Sequence, residues 1–162
     1  MMSLLARVKG ASWGRRFLWL GLVLASLLVL IQLVPYGRDH TNPPVQAQAK
    51  IADPAAQQLW DDSCADCHSN LTTWPWYSNV APVSWRLQSH VEDGREKMNF
   101  SEWENAQPPM SEVRDVIESG EMPTWDYAFI HGGLSDQDKK VLIAGLTATY
   151  RDDPPGSIKQ GD

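Results

Sequence analysis

The chain has 162 residues, with 14 basic and 20 acidic side chains and a net charge of −6. This length is enough for one small domain once an apolar N-terminal segment is set aside. Five basic residues precede the first acidic residue, Asp39, which leaves nine basic against twenty acidic groups and a net charge of −11 in the remainder. Such an acidic domain argues against nucleic acid as a partner, because nucleic-acid binding requires a basic surface.

Residues 17–34 form an apolar segment that is interrupted only by the polar residues Ser26 and Gln32. Its length predicts a single helix that crosses a bilayer. Four basic residues lie within residues 1–16 and only Arg38 follows closely, so the positive-inside rule predicts a cytoplasmic N-terminus and a periplasmic remainder, anchored in the inner membrane. The alternative is a cleaved export signal. Both interpretations export the rest of the chain.

The remaining elements are predicted from caps, prolines and apolar spacing. Residues 35–52 contain three prolines, which predicts an extended stalk. A first helix is expected to start with Asp53 as its cap and Pro54 in its first turn, and residues 70–82 are expected to form an irregular loop. Further helices are predicted over residues 83–97, from the cap Ser111 to Gly120, and after the cap Ser135.

No series of strands is indicated. The predicted fold is therefore an all-α helical domain with long loops over residues 53–151, preceded by one transmembrane helix. A flexible tail is predicted over residues 152–162.

One short motif carries the chemistry that the sequence predicts. Cys64, Cys67 and His68 stand in the order Cys-x-x-Cys-His, the signature of covalent haem attachment. Residues three apart on a helical turn share a face, so both thiols can add to haem vinyl groups while the adjacent imidazole binds the iron. We therefore expect one covalently attached haem c held by these three residues.

Three other uses of the cysteine pair compete with haem attachment. A disulfide between Cys64 and Cys67 would close a very short loop and add little stability, and a thioredoxin-type pair requires a βαβ context that the sequence lacks. A zinc site requires two further ligands at a familiar spacing, and the chain has no second Cys-x-x-Cys motif. Haem attachment is the preferred interpretation.

The opposite side of the iron can be closed by Met or His or left open, and this choice sets potential and function. Met122, followed by Pro123, resembles the methionine of small class I cytochromes c, in which a Met-Pro loop supplies a thioether sulfur between the last two helices. That resemblance implies Met122 as the second iron ligand, and it implies Trp60 and Tyr150 as aromatic residues of two crossing helices. His90 is the alternative distal ligand, because a helical imidazole can also reach the iron.

Six of the eight tryptophans follow the apolar segment. Indole rings exclude water from a porphyrin face, and indole N–H groups, together with Arg86 or Arg95, are candidates for binding haem propionates. Ordinary core packing is the alternative role for each tryptophan.

From about residue 30 to residue 146 the chain resembles the bacterial haem-binding domain family of membrane-anchored proteins. The resemblance implies a c-type haem domain behind a single helix. The segments that carry it jointly are His68-Ser69-Asn70, Trp74-Pro75-Trp76-Tyr77-Ser78, Ala81-Pro82-Val83-Ser84-Trp85, His90-Val91, Asn99-Phe100-Ser101-Glu102-Trp103 and Met122-Pro123.

These features predict a membrane-anchored monohaem c-type cytochrome that transfers electrons on the periplasmic side, with a redox partner that presents a basic docking face. No catalytic residue is predicted. The alternative function is a haem-based sensor or small-molecule-binding module with an open or displaceable distal ligand. A haem peroxidase would require a distal acid or base, for which His90 or His131 is available.

Overall fold

The structure, a computed structural model, describes residues 13–158, and within that range the chain is mostly helical. Seven α-helices and one pair of two-residue strands make up its regular structure, together with a 3₁₀ turn at Trp76–Asn79. The elements are α1 Trp13–Ile31, α2 Pro54–Ser63, α3 Ala65–His68, α4 Val83–Lys97, β1 Ala106–Gln107, α5 Met110–Ser119, α6 Trp125–His131, α7 Asp136–Asp152 and β2 Ser157–Ile158. The all-α prediction is confirmed.

The described chain divides into two compact units. The N-terminal unit comprises residues 13–39 and 76–88, and the C-terminal unit comprises residues 40–75 and 89–158. Helix α4 contributes residues to both units. Of the predicted basic N-terminus, residues 1–16, the first twelve lie outside the described residues. Residues 159–162 of the predicted tail also lie outside them.

Helix α1 has the length and composition to cross a membrane, and none of its side chains is buried. It begins at Trp13 and ends at Ile31, whereas the apolar pattern predicts a span over residues 17–34. The chain then continues into a turn that begins at Gln32. Length and composition therefore agree with the predicted single anchor.

Helices α2 and α7 cross in the C-terminal unit and form its core. Asp53 caps α2 as predicted, because its carboxylate accepts a hydrogen bond of 2.8 Å from the Ala56 N–H. A side chain at Gly145 of α7 would meet Ala56 Cβ at 2.4 Å, so the glycine permits the close approach of the two helices. Trp60 and Leu146 are buried at this crossing.

Aromatic rings continue the core away from the crossing. Trp60 stacks on Phe100 with ring centroids 3.8 Å apart, and Trp103 meets both Phe100 and Tyr150 edge to face. Such arrangements stabilise a core beyond the area that they bury. Trp60 and Tyr150 thus lie on the two crossing helices, as the cytochrome c resemblance implied.

The structure differs from the predicted stalk over residues 35–52. The second half of this segment belongs to the folded domain: Ala49 and Ile51 are buried in the core, and the Ala49 N–H donates to the Phe100 carbonyl. Alternate residues of an extended chain point the same way. Ala49 and Ile51 therefore both face the core, and these two side chains pack the segment onto the domain.

Three smaller differences concern the C-terminal half. Helix α5 begins at Met110 with Pro109 at its cap, two residues before the predicted cap Ser111. Helix α6 was not predicted. The predicted tail is held in place up to residue 158, because β2 pairs with β1 and the Gly156 N–H donates to the Trp103 carbonyl.

Candidate functional site

The Cys-x-x-Cys-His segment forms a tight helical turn directly after α2. Cys64 is both the C-cap of α2 and the N-cap of α3. Its carbonyl accepts hydrogen bonds from the Cys67 and His68 N–H groups at 3.1 and 2.9 Å. The backbone of the motif therefore has the helical turn that its spacing predicts.

The His68 ring is oriented by the C-terminal end of α4. Its Nδ1 lies 2.9 Å from the Gly94 carbonyl and 3.1 Å from the Met98 carbonyl. Two carbonyl acceptors require a proton on Nδ1, which leaves Nε2 with a free electron pair for a metal. Burial lowers the pKa of His68 and so favours the neutral, ligating form.

A cavity of about 260 Å³ opens beside this ring in the C-terminal unit. Most of its lining side chains are apolar, and half of the lining residues come from α2, α5 and α7. Lys97 and Glu112 add charged groups. Of the predicted site residues, Cys64, His68 and Met122 line it, whereas Cys67 does not. An apolar cavity that a thiol, an imidazole with a free Nε2 and a thioether share is suited to the predicted haem.

Met122 reaches the cavity from the loop that follows α5. Helix α5 ends at Gly120, whose φ of 81° is left-handed and suits glycine. The Met122 N–H then donates to the Val116 carbonyl at 3.0 Å, which folds the loop back over the helix end. The Met122 side chain is 37 % exposed, so it borders both the cavity and solvent.

His90, the alternative distal ligand, lies elsewhere in the C-terminal unit. Its Nε2 is 3.8 Å from a carboxylate oxygen of Asp126, and the residue does not line the cavity. His131 stacks on Tyr127. The cavity therefore brings together His68 and Met122, and it does not include His90.

The two thiols are free and are not joined in a disulfide. Burial raises the pKa of the Cys64 thiol to about 12 and that of Cys67 to about 11. A redox-active dithiol requires a lowered pKa, so this pair lacks the property that a thioredoxin-type site needs. Among residues 13–158, no three His, Cys, Asp or Glu side chains gather as a zinc site would require.

Sequence reasoning missed a buried polar network behind the motif. Asn99 Nδ2 donates to Asn70 Oδ1 at 2.8 Å, and the Asn99 N–H donates to Gln107 Oε1 at 3.0 Å. The Phe100 N–H donates to the His68 carbonyl at 2.8 Å. A satisfied network of this kind fixes the loop that carries the histidine. The joint presence of Asn70 and Asn99 in the resemblance segments was the signal that could have identified it.

Arg95, one of the two candidates for a propionate contact, makes several hydrogen bonds within the protein. Its Nε donates to the Ser69 carbonyl at 3.0 Å, and Nη2 donates to Asn42 Oδ1 and Thr72 Oγ1 at 2.8 and 2.9 Å. The residue does not line the cavity. Arg95 instead ties residues 41–42 to the segment after His68.

The sequence model of the haem-binding domain family matches residues 26–148 of the chain. No curated protein and no solved structure matches it. The matched region includes the Cys-x-x-Cys-His turn, the polar network behind it, the cavity and the Met122 loop. The chain therefore belongs to the haem-binding domain family, and it is a haem-binding protein.

Proposed function

We propose that this protein is a membrane-anchored monohaem c-type cytochrome that transfers electrons on the periplasmic side of the inner membrane. The observation that carries the proposal is the shared cavity of Cys64, His68 and Met122. Cys64 and Cys67 form the thioether bonds, His68 is the proximal ligand and Met122 is the distal ligand. Helix α1 is the anchor, with its N-terminus in the cytoplasm.

The contacts of His68 and the apolar lining of the cavity support these roles. The Gly94 and Met98 carbonyls hold the His68 ring with Nε2 available. Trp60, Val113 and Leu146 line the cavity and keep water from the space between the ligands. Bound haem supplies a one-electron iron couple whose potential depends on the axial ligands and on this exclusion of water.

The charge distribution supports a partner of opposite sign. From Asp39 onward the chain carries a net charge of −11, which attracts a redox partner with a basic docking face and repels acidic proteins. A carrier needs no substrate pocket and no catalytic residue, and we assign none.

The 37 % exposure of Met122 favours a second candidate function. A ligand on a solvent-facing loop can be displaced by a small molecule, which would make the protein a haem-based sensor or a small-molecule-binding module. The two functions differ in whether reduced haem binds carbon monoxide while Met122 is present.

Substitution of Met122 by alanine tests the ligand assignment. We expect the wild-type protein to cycle reversibly with a His/Met spectrum and without binding carbon monoxide. Met122→Ala removes the thioether, so its reduced haem should bind carbon monoxide and its potential should fall. Near-infrared and reduced-minus-oxidised spectra, with a redox titration, measure both effects.

His90→Ala is the matched control, because it removes the other candidate ligand from α4. We expect its spectra and potential to equal those of the wild type. Unchanged spectra in Met122→Ala would rule out Met122 as the ligand. Rapid carbon monoxide binding by the wild type would favour the sensor or binding module.

A further inference from the structure

An exposed apolar surface lies in the N-terminal unit and plays no part in the cavity. Trp76 is 79 % exposed, and Tyr36, Val80 and Val83 each expose nearly half of their surface. We call these four residues the juxtamembrane patch. The four residues belong to one compact unit, which also contains the apolar helix α1, and exposed apolar groups that cluster mark binding surfaces.

The patch segment is fastened to the end of the apolar helix by one side chain. The Gln32 side-chain amide donates to the Ala81 carbonyl at 2.9 Å, and its oxygen accepts from the Ala81 N–H at 3.0 Å. Gln32 belongs to the predicted span, residues 17–34. Ala81 is therefore held at the level of the last turn of the segment that crosses the bilayer.

This contact has the form that an apolar environment requires. A backbone N–H and C=O removed from water must find partners within the protein, and Gln32 satisfies both groups of Ala81. A second close contact fixes the turn after the helix: Gly37 has a φ of 82°, and a side chain there would meet the Ser84 carbonyl carbon at 2.6 Å.

Local hydrogen bonds link the residues on either side of Ala81 to one another. The Val80 N–H donates to the Tyr77 carbonyl at 3.1 Å, and the Ser84 N–H donates to the Val80 carbonyl at 2.9 Å. Asn79 Nδ2 donates to the Trp76 carbonyl at 3.2 Å. The 3₁₀ turn and the start of α4 thus form one short structure beside the helix end.

We propose that the juxtamembrane patch inserts into the headgroup region of the same bilayer that α1 crosses. The occupant of this surface is lipid, because the patch segment is hydrogen-bonded through Ala81 to Gln32 at the end of the apolar helix and the patch contains tryptophan and tyrosine, which concentrate at membrane interfaces. The inference rests on the proposed insertion of α1. It adds a second membrane contact that holds the chain after the helix against the bilayer surface.

Residue-resolved hydroxyl-radical labelling of the full chain tests this contact, with one copy of the protein in each lipid nanodisc. Three tryptophans of similar exposure are compared by mass spectrometry: Trp76, Trp19 in α1 at 62 %, and Trp125 in the C-terminal unit at 77 %. We expect Trp19 and Trp76 to be labelled at least about threefold more slowly than Trp125, because lipid shields them.

The pattern of labelling separates the two claims. Slow labelling of Trp19 with rapid labelling of Trp76 would overturn the patch and leave the anchor intact. Rapid labelling of Trp19 would overturn the anchor and, with it, the patch, whatever the rate at Trp76.

A charge substitution provides the matched variant. Val83 is the first residue of α4, where an aspartate favours the helix dipole and preserves the fold. Val83→Asp should expel the patch from the interface and raise Trp76 labelling toward that of Trp125, while Val83→Leu should leave it slow. Equal Trp76 rates in the two variants would overturn the proposal.

Discussion

At Gly94 the backbone of α4 closely approaches the Cys-x-x-Cys-His turn. A side chain at this position would lie 2.5 Å from the Cys67 carbonyl oxygen, and the Gly94 carbonyl is itself an acceptor for His68 Nδ1. Glycine is a poor helix former, so by propensity alone Gly94 would weaken the end of α4. In the structure its small size is what allows the helix to orient the histidine.

Gly94→Ala should therefore destabilise the domain although alanine is the better helix former. The propensity gain is about 1 kcal/mol, and the clash with a backbone oxygen costs more, about 3 kcal/mol. We expect a net loss of about 2 kcal/mol in the free energy of unfolding, measured by chemical denaturation.

Gly133→Ala is the control for this substitution, because its new methyl group would lie at an ordinary 3.7 Å from Ala128 Cβ. Its stability should stay within about 0.5 kcal/mol of the wild type. A Gly94→Ala protein as stable as this control would contradict the close approach of α4 to Cys67.

For individual residues, the sequence could predict which ones belong to the site but not the groups to which they hydrogen-bond. The Cys-x-x-Cys-His spacing and the Met-Pro pair identified Cys64, His68 and Met122, which the structure places at one cavity. The acceptors of His68 Nδ1 are 26 and 30 residues away along the chain. Contacts over such separations follow from tertiary packing, and local spacing does not contain them.

Among the elements, helices with strong end signals were predicted well. Helix α4 spans Val83–Lys97 as expected, and Ser135 and Asp138 form the predicted capping box at the start of α7. Helix α6 was missed because it has seven residues and no side-chain hydrogen bond at its cap. So short a helix shows no clear apolar period, and tertiary contacts rather than propensity stabilise it.

Gly145→Ala tests the crossing of α2 and α7. The added methyl group would meet Ala56 Cβ at 2.4 Å and Ile51 Cγ2 at 2.8 Å, which forces the two helices apart in a close-packed core. We expect a loss of about 2 kcal/mol in the free energy of unfolding, observed as a lower denaturation midpoint.

The neighbouring residue Ala144 is exposed, so Ala144→Ser is a suitable control on the same helix. It should shift stability by less than about 0.5 kcal/mol. Equal stability of the two variants would show that the helices do not pack at Gly145.

For the molecule as a whole, the sequence predicted a mostly helical domain behind one apolar helix, and both features are found. It did not predict that residues 46–51 and 153–158 would pack on the domain. The first segment was assigned to an extended stalk and the second to a flexible tail. The buried pair Ala49 and Ile51 holds the first, and the hydrogen bond from Trp103 Nε1 to the Asp153 carbonyl holds the second. Few apolar residues suffice for docking when a core is already present to receive them.

A small domain of this kind should depend on its cofactor for stability. The Cys64→Ala/Cys67→Ala protein lacks the two thiols that we propose attach the haem, so the protein alone must stabilise the cavity lining. We expect its unfolding temperature to fall by about 10 °C or more relative to the haem-bound protein, followed by circular dichroism. Equal unfolding temperatures of the double variant and the haem-bound protein would show that bound haem does not stabilise the domain.

Covalent retention of haem by Cys64 and Cys67 is the claim on which the proposed function depends. The most direct test is the intact mass and haem stain of the full chain after denaturation, when it is made in cells with active haem-attachment machinery. We expect a mass increase of one haem that survives denaturation and disappears in Cys64→Ala/Cys67→Ala. A wild-type chain with no covalently bound haem under these conditions would contradict its assignment as a c-type cytochrome.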